Sequence, residues 1–400
     1  MPQALRERPY AAEASGDRTA RVAPSGVAAD VSLVGEDNSG SSSKQSPAWF
    51  EQARTAVNDL HTRSAPVYWI DFTLATAAAW SLAAAYFLAP KWSLLQIAAY
   101  LASIVLLFRS GTFIHELVHT RRDQMRWFAR AWNLFIGIPF LMPWIFYRNH
   151  ADHHNARHFG TPRDGEYLPL AASPLRETVK YLAQAPLLPL FMFVRLGVLG
   201  PLSWLNRGLR EWVLTRASAA VSNPYYAKRF PRRDESHLVI VEAISFVYLL
   251  CIAGLLVAGT IDAGHLFMGY LLVAGALGFN WVRNLAAHRY GNRGERMSHL
   301  EQMEDSINIT GQSWLTVLLF PVGLRYHALH HLFPSLPYHN LGKAHRRLSA
   351  LLPREAPYHA TARRSFFAAL AELWRGAKAT SVERSAMRRW TDKPDLPRTP

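Results

Sequence analysis

Residues 93–119 read SLLQIAAYLASIVLLFRSGTFIHELVH. From Ser93 to Phe108 the run is almost wholly apolar, and shortly after it come His115 and His119, four apart. Such a run approaches the ~20 residues a helix needs to cross a ~30 Å hydrocarbon layer. On a helix, a spacing of four puts both imidazoles on one face, aimed at one point. The reading that organises the chain is therefore a membrane helix that delivers a histidine pair at its end.

Working outward, three more runs have the same character. Pro66 to Ala89 is apolar apart from Asp71 and is joined to the quoted run by Pro90-Lys-Trp92. Leu238 to Gly259 and His265 to about Trp281 are joined by Thr260-Ile-Asp-Ala-Gly264. The expected fold is all-α and integral to the membrane: four transmembrane helices in two hairpins, with a helical, histidine-rich cap on the cytoplasmic side. The two hairpin tips hold only Lys91 between them, while the other connectors carry nearly all the Lys and Arg. By the positive-inside rule both termini and the active site are then cytoplasmic, and a multi-pass bacterial inner-membrane location is expected. Three further apolar stretches, 131–146, 182–204 and 313–324, are short or broken by prolines at 139, 143, 186, 189 and 201. They read as interfacial or re-entrant, because a crossing at 131–146 would separate the histidine clusters by the width of the membrane.

Composition narrows the chemistry. Half of the 400 residues are hydrophobic, yet the mean hydropathy is −0.03, as in a membrane protein with large extramembrane parts. The single cysteine, Cys251, excludes internal disulfides, cysteine-held zinc and protein-held iron–sulfur clusters, so any metal is held by nitrogen and oxygen. The net charge of +15 flanks apolar segments, and no nucleic-acid module is recognisable, so lipid headgroups rather than nucleic acid are the expected partners. Residues 1–47 are rich in Ser, Gly, Ala and charge, carry no apolar signal region and read as a disordered extension.

The seventeen histidines are clustered. Besides His115 and His119, His150, His153 and His154 form an H-x-x-H-H group, and His327, His330 and His331 repeat it. Positions i, i+3 and i+4 again share a helical face. Eight imidazoles exceed what one tetrahedral zinc takes, whereas two ions would each have about four. Neutral imidazole suits Fe, Cu and Zn alike. His115-Glu-Leu-Val-His119 also matches the H-E-x-x-H helix of zinc metalloproteases, with Glu116 as general base, a reading that leaves six clustered histidines without a task.

The three groups, in this order and with two spans between the second and third, resemble the three histidine boxes of the membrane fatty acid desaturase/hydroxylase superfamily. The resemblance covers roughly residues 66–350, within a desaturase-like domain drawn at 48–350; 351–400 reads as a basic, partly helical tail. Gly160-Thr-Pro-Arg-Asp-Gly-Glu-Tyr167 and Leu332-Phe-Pro-Ser-Leu-Pro-Tyr338 look like text of the same family. Asn284-Leu-Ala-Ala-His288 is similar to the segment that gives the acyl-CoA desaturases a ninth histidine ligand and a water-bridging asparagine. The resemblance implies two iron ions, held by His115, His119, His150, His153, His154, His288, His327, His330 and His331, with Asn284 holding a water. It implies O2-dependent oxidation of a fatty acyl chain, with desaturation as the expected outcome and hydroxylation, acetylenic-bond formation and terminal-alkene-forming decarboxylation as neighbouring ones. Carboxylates placed to orient ligand imidazoles are Glu116, Asp152, Asp164, Glu166, Glu304 and Asp305. No haem-binding, dinucleotide or ferredoxin motif is present, so electrons are expected from a separate ferredoxin or cytochrome b5-like donor and its reductase, docked on the basic face.

Overall fold

The computed structural model describes residues 46–121, 124–311 and 313–392. The extension expected over 1–47 lies outside these residues apart from its last two. α1 (Ala48–Val57) leads to the first hairpin, α2 (Ala65–Leu88) and α3 (Leu94–Val118). Pro66 occupies the first turn of α2, where a missing N–H costs nothing. Ser93 caps α3 by accepting the Gln96 N–H at 3.1 Å. Ala79, Ala83 and Ala99 are buried in this hairpin, Ser103 donates to the Ala79 carbonyl at 3.1 Å and Thr76 to Ser110 at 3.0 Å. Small and hydroxyl side chains are what allow membrane helices to approach closely.

The chain next forms α4 (Arg126–Trp132) and a π-helical turn at Asn133–Gly137, then doubles back into a 3₁₀ helix (Trp144–Asn149) that feeds α5 (His150–His153). The Trp144 N–H donates to Asn133 Oδ1 at 2.9 Å and closes the bend. Trp80, on α2, donates to the Phe135 carbonyl at 2.9 Å and pins the loop to the first hairpin. Residues 131–146 thus fold back on themselves.

The second proline-broken stretch differs from its sequence reading. α6 (Leu175–Val194), a π-helical segment (Arg195–Leu199) and α7 (Gly200–Leu205) are continuous over 31 residues. With them the described residues hold five helices long and apolar enough to cross a membrane, one more than the four spans read from the sequence: Ala65–Leu88, Leu94–Val118, Leu175–Leu205, Arg232–Val257 and Ala263–Asn284. Pro186 and Pro189 lie inside the helix. Each removes one backbone hydrogen bond, but in apolar surroundings leaving the helix would orphan many more. The Tyr270 hydroxyl donates to the Pro186 carbonyl at 2.9 Å.

After α8 (Arg207–Arg216) come the second hairpin helices, α9 (Glu235–Val257) and α10 (Ala263–Asn284). α10 packs on α3 at Gly275, where an added Cβ would lie 2.7 Å from the Tyr100 hydroxyl and 3.0 Å from Ile104. On the outer faces of these helices, Ile70, Leu74, Leu95, Ile240, Val247, Leu250 and Phe267 are exposed, apolar surface that water would not tolerate and lipid would. The polar body comprises α11 (His299–Asp305), α12 (Ser313–Leu319), α13 (His327–Leu332), α14 (Tyr338–Leu351), α15 (Pro357–Ala360), α16 (Phe366–Ala379) and α17 (Ala386–Asp392). One two-residue parallel pair, Asn308–Ile309 with Ala362–Arg363, interrupts an otherwise helical chain. Residues beyond 350 share this body: Leu373 and Trp390 are buried in one core with Tyr167, and Phe366 and Ala369 in another with Ile309.

Candidate metal centre

Four separate elements carry histidines to the same place: the end of α3, α5, the turn just after α10, and α13. The nine imidazoles fall into two groups, each with ligand atoms within 4.8 Å of one another. One is His115, His119, His150, His154 and His330; the other is His153, His288, His327 and His331. Each H-x-x-H-H motif is therefore shared between groups. His150 and His154 turn one way and His153 the other; His330 faces the first group and His327 and His331 the second.

The ring nitrogens point inward. Nε2 of His154 lies 3.0 Å from Nε2 of His150 and 3.1 Å from that of His330. In the second group, Nε2 of His288 is 3.1 Å from that of His153 and 2.9 Å from that of His327, which is 3.2 Å from that of His331. Two nitrogens about 2.1 Å from one ion and at right angles about it would be about 3.0 Å apart. The outer nitrogens fix which ring atom carries hydrogen. His153 Nδ1 lies 2.9 Å from Asp164 Oδ2, and His150 Nδ1 lies 2.7 Å from Glu166 Oε1. A carboxylate only accepts, so the N–H sits on Nδ1 and the Nε2 lone pair faces inward. Both nitrogens of His115 and Nε2 of His119 are buried without any hydrogen-bond partner. Converging lone pairs and orphaned imidazole nitrogens fit a pair of cations held by nitrogen alone.

Electrostatics favour the neutral form of these imidazoles, with His153 the exception. Burial pushes His119 down to about 3 and His288 down to about 4, and holds His150, His154, His327, His330 and His331 well below the usual histidine range. Burial also pulls on His153, but Asp164 beside it carries it above its ordinary value. Burial lifts Glu166 to about 7. Asp164 lies below the carboxylate range, since His153 and the N–H groups of Glu166 and Gly160 outweigh its burial.

The other candidate residues separate clearly. Asp305 Oδ2 lies 3.5 Å from His288 Nδ1, which also meets the Ser306 hydroxyl at 3.1 Å. Asp152, although inside the H-x-x-H-H motif, faces away from both imidazole groups. It accepts from Lys228 at 2.6 Å and from Tyr226 at 2.8 Å, with His158 Nδ1 at 3.2 Å, bracing the basic loop instead of a ligand. Helical geometry explains this, because i+2 lies on the opposite face from i and i+3. Glu116 accepts the Tyr68 hydroxyl and, at 3.2 Å, the Tyr338 N–H, so it ties α14 to the first hairpin and is not free to activate a water as a protease base. Glu304 is exposed. Asn284 ends α10, one turn before His288, and its carbonyl accepts the Tyr290 hydroxyl at 2.6 Å. Two residues escaped the sequence reading. Tyr147 reaches Glu166 at 3.0 Å and His150 Nδ1 at 3.1 Å, and Ser306 reaches His288. Only Tyr147 had a signal, its i, i+3 relation to His150.

Beside the histidines lies a narrow cleft, without room for a water molecule, lined by His115, Glu116, His327, His330, Val322, Gly323, Leu324 and Leu341. Its walls therefore pass from both imidazole groups to aliphatic carbon.

A family model for fatty acid desaturases matches residues 90–362. The chain is 35% identical over 335 residues to a ceramide hydroxylase of Caulobacter vibrioides, covering 83% of this chain and 95% of that protein. It is 26% identical over 261 residues to an acyl-lipid (8-3)-desaturase of a Thraustochytrium species, covering 63% of this chain and 56% of that one. The metalloprotease reading falls with these matches. The chain belongs to the fatty acid desaturase family and is an oxidoreductase of fatty acyl lipids.

Proposed function

We propose that this protein is a di-iron hydroxylase that places a hydroxyl on a hydrocarbon chain of a ceramide-type membrane lipid. What carries the metal chemistry is the convergence of nine imidazoles as five and four. What favours hydroxylation over the desaturation expected from sequence is the 35% match along 95% of a ceramide hydroxylase. The net reaction is R–H + O2 + 2 electrons + 2 protons giving R–OH + H2O.

Two irons, when bound, supply activation of O2. The chain's own residues do the rest. His115, His119, His150, His154 and His330 would hold one ion, and His153, His288, His327 and His331 the other. Asp164, Glu166, Asp305 and Ser306 keep ring hydrogens on the outer nitrogens and fix ring orientation. Val322, Leu324 and Leu341 offer an apolar wall to the reacting segment and keep water from it. Asn284 has no direct ligand role in this reading.

Desaturation is the second reading, favoured by the match to the acyl-lipid desaturase. It uses the same O2 and electrons but removes two hydrogens from adjacent carbons and releases two waters. Expression in a host supplied with ceramide under 18O2, followed by mass spectrometry of the lipids, separates the two. A product carrying one 18O atom is expected. A product lighter by two hydrogens and free of 18O would replace the proposal.

Four complete crossings support the function better than five. The ends of α3 and α10 meet at the histidines, so the chain between them crosses an even number of times; α9 and α10 account for two, leaving the α6–α7 helix embedded without a full crossing. With only Lys91 at the hairpin tips, the site and both termini would face the cytoplasm. A single thiol placed at residue 91 or 261 should then react only from the opposite side. The exposed Arg207, Arg216, Lys228, Arg232 and Arg233 on that face suit an acidic electron carrier. Turnover with such a carrier should fall as salt rises; turnover indifferent to ionic strength would remove this docking face.

A further inference from the structure

Away from the histidines, a second ionic cluster sits between the α6–α7 helix and α9. Glu242 is fully buried and receives two guanidiniums, Arg195 through Nη2 and Arg210 through Nη1 at 2.7 Å. Arg195 is 3% exposed. Its Nε donates to the Ala217 carbonyl at 2.6 Å, and Nη2 also reaches the Ser218 hydroxyl at 3.1 Å. Trp204 donates to Glu242 at 3.3 Å. Among the described residues no other carboxylate lies within 4 Å of either guanidinium, so two cations share one anion.

One positive charge is left over, and it has free donors. Nη1 of Arg195 and Nη2 of Arg210 are buried without a hydrogen-bond partner. An unbalanced buried guanidinium is costly unless an anion completes the set. The surroundings show which anion is at hand. Glu242 is seven residues along α9, about 10 Å of helix from its polar start at Glu235, which is the depth where headgroups give way to acyl chains. Val198, Leu202 and Leu205 on the α6–α7 helix and Trp212 on α8, the elements that carry the two arginines, are exposed, and Trp204 is itself 40% exposed, as expected of a surface that touches lipid. Gly200 keeps space beside the free nitrogen, since a Cβ there would stand 3.4 Å from Arg195 Nη1. Arg195 opens the π-helical turn at Arg195–Leu199 and is buried there, and such turns recur at functional sites.

We propose that Arg195 and Arg210, with Glu242 as their fixed counter-charge, form a binding site for the phosphate of an anionic membrane phospholipid. Phosphate matches a guanidinium fork better than any other group available at that depth. The lipid would lie in the angle between the α6–α7 helix and α9, separate from the oxidation site.

The test is native mass spectrometry of the full chain released from phosphatidylcholine nanodiscs containing phosphatidylglycerol, with inorganic phosphate as a second probe. The wild type should retain phosphatidylglycerol over phosphatidylcholine. Arg210→Gln leaves Arg195 and Glu242 balanced and should lower that retention about tenfold, as for one lost hydrogen bond to a charged group. Gly200→Ala should lower it by less. Circular dichroism reports whether Arg210→Gln is folded; if it is not, Arg210→Lys, which keeps the charge and loses the fork, should fall between. Equal retention of the two lipids by the wild type, undiminished retention in the Arg210 and Gly200 variants, or tight binding of inorganic phosphate with no lipid preference would each overturn the assignment.

Discussion

The two imidazole groups are built from the same motifs yet supported differently. In the four-histidine group every ring is buried, and two of the four are tied from outside: His153 to Asp164, and His288 to Asp305 and Ser306. His288 is also held by a backbone bridge to Ser306. In the five-histidine group His119 and His154 are only partly buried, and His150 alone has a carboxylate, one that burial lifts to about 7. That group contributes His115 and His330 to the cleft, and the four-histidine group contributes His327. One ion would thus sit in a fully buried, braced cage and the other in a cage two of whose rings are partly exposed.

The largest expected effect treats the groups alike. His→Ala at His153 or at His330 should abolish turnover and remove iron from the purified protein, because each leaves a set of neutral donors one short. Measured iron and product would settle it. Full activity in either variant would remove the metal assignment and the comparison with it.

The next effect should divide them. Asp164 is fully buried and fixes His153, so Asp164→Asn should cost about 10–100-fold in metal affinity, the range for an outer partner of a ligating histidine. Glu166→Gln should cost less, since Tyr147 still reaches His150 Nδ1 at 3.1 Å. Iron content after dialysis against a graded chelator compares the two. A larger loss from Glu166→Gln would invert the proposed hierarchy.

How much of this was legible in the sequence depends on how far apart the cooperating residues lie along the chain. The histidine groups were readable because helical spacing alone brings His115 to His119 and His327 to His331. Asp164 and Glu166 were plausible because they lie in the same loop-rich segment as the second box. Asp152 misled because sequence proximity placed it among the ligands while the helix turned it outward. Ser306 could not be read, since only the bridge across residues 288 and 306 brings it to His288. The continuous helix through Pro186 and Pro189 was hidden for a different reason: the proline penalty is a rule of helices in water, and apolar surroundings change the alternative it is weighed against.

Chelation should also resolve the groups in time. Iron release from the wild type is expected in two phases, the faster from the five-histidine group, whose rings are partly open to solvent. His119→Ala should erase the fast phase and His327→Ala the slow one. A single phase carrying both ions would mean that the cages act as one.

The smallest expected effect is the sharpest probe of how the buried cage is braced. Ser306→Ala removes one hydroxyl 3.1 Å from His288 Nδ1 and leaves Asp305 at 3.5 Å as the remaining partner. The Ser306 hydroxyl also donates to the Gln302 carbonyl at 2.7 Å, so it holds the ring by being held itself. A neutral hydrogen bond of this kind is worth about 1 kcal/mol, which is about fivefold in affinity. The slow phase of iron release should therefore quicken about fivefold while the fast phase is unmoved. Acceleration of both phases together would show that the carboxylates and hydroxyl around residues 288 and 306 brace the whole centre, and that the asymmetry lies in solvent access alone.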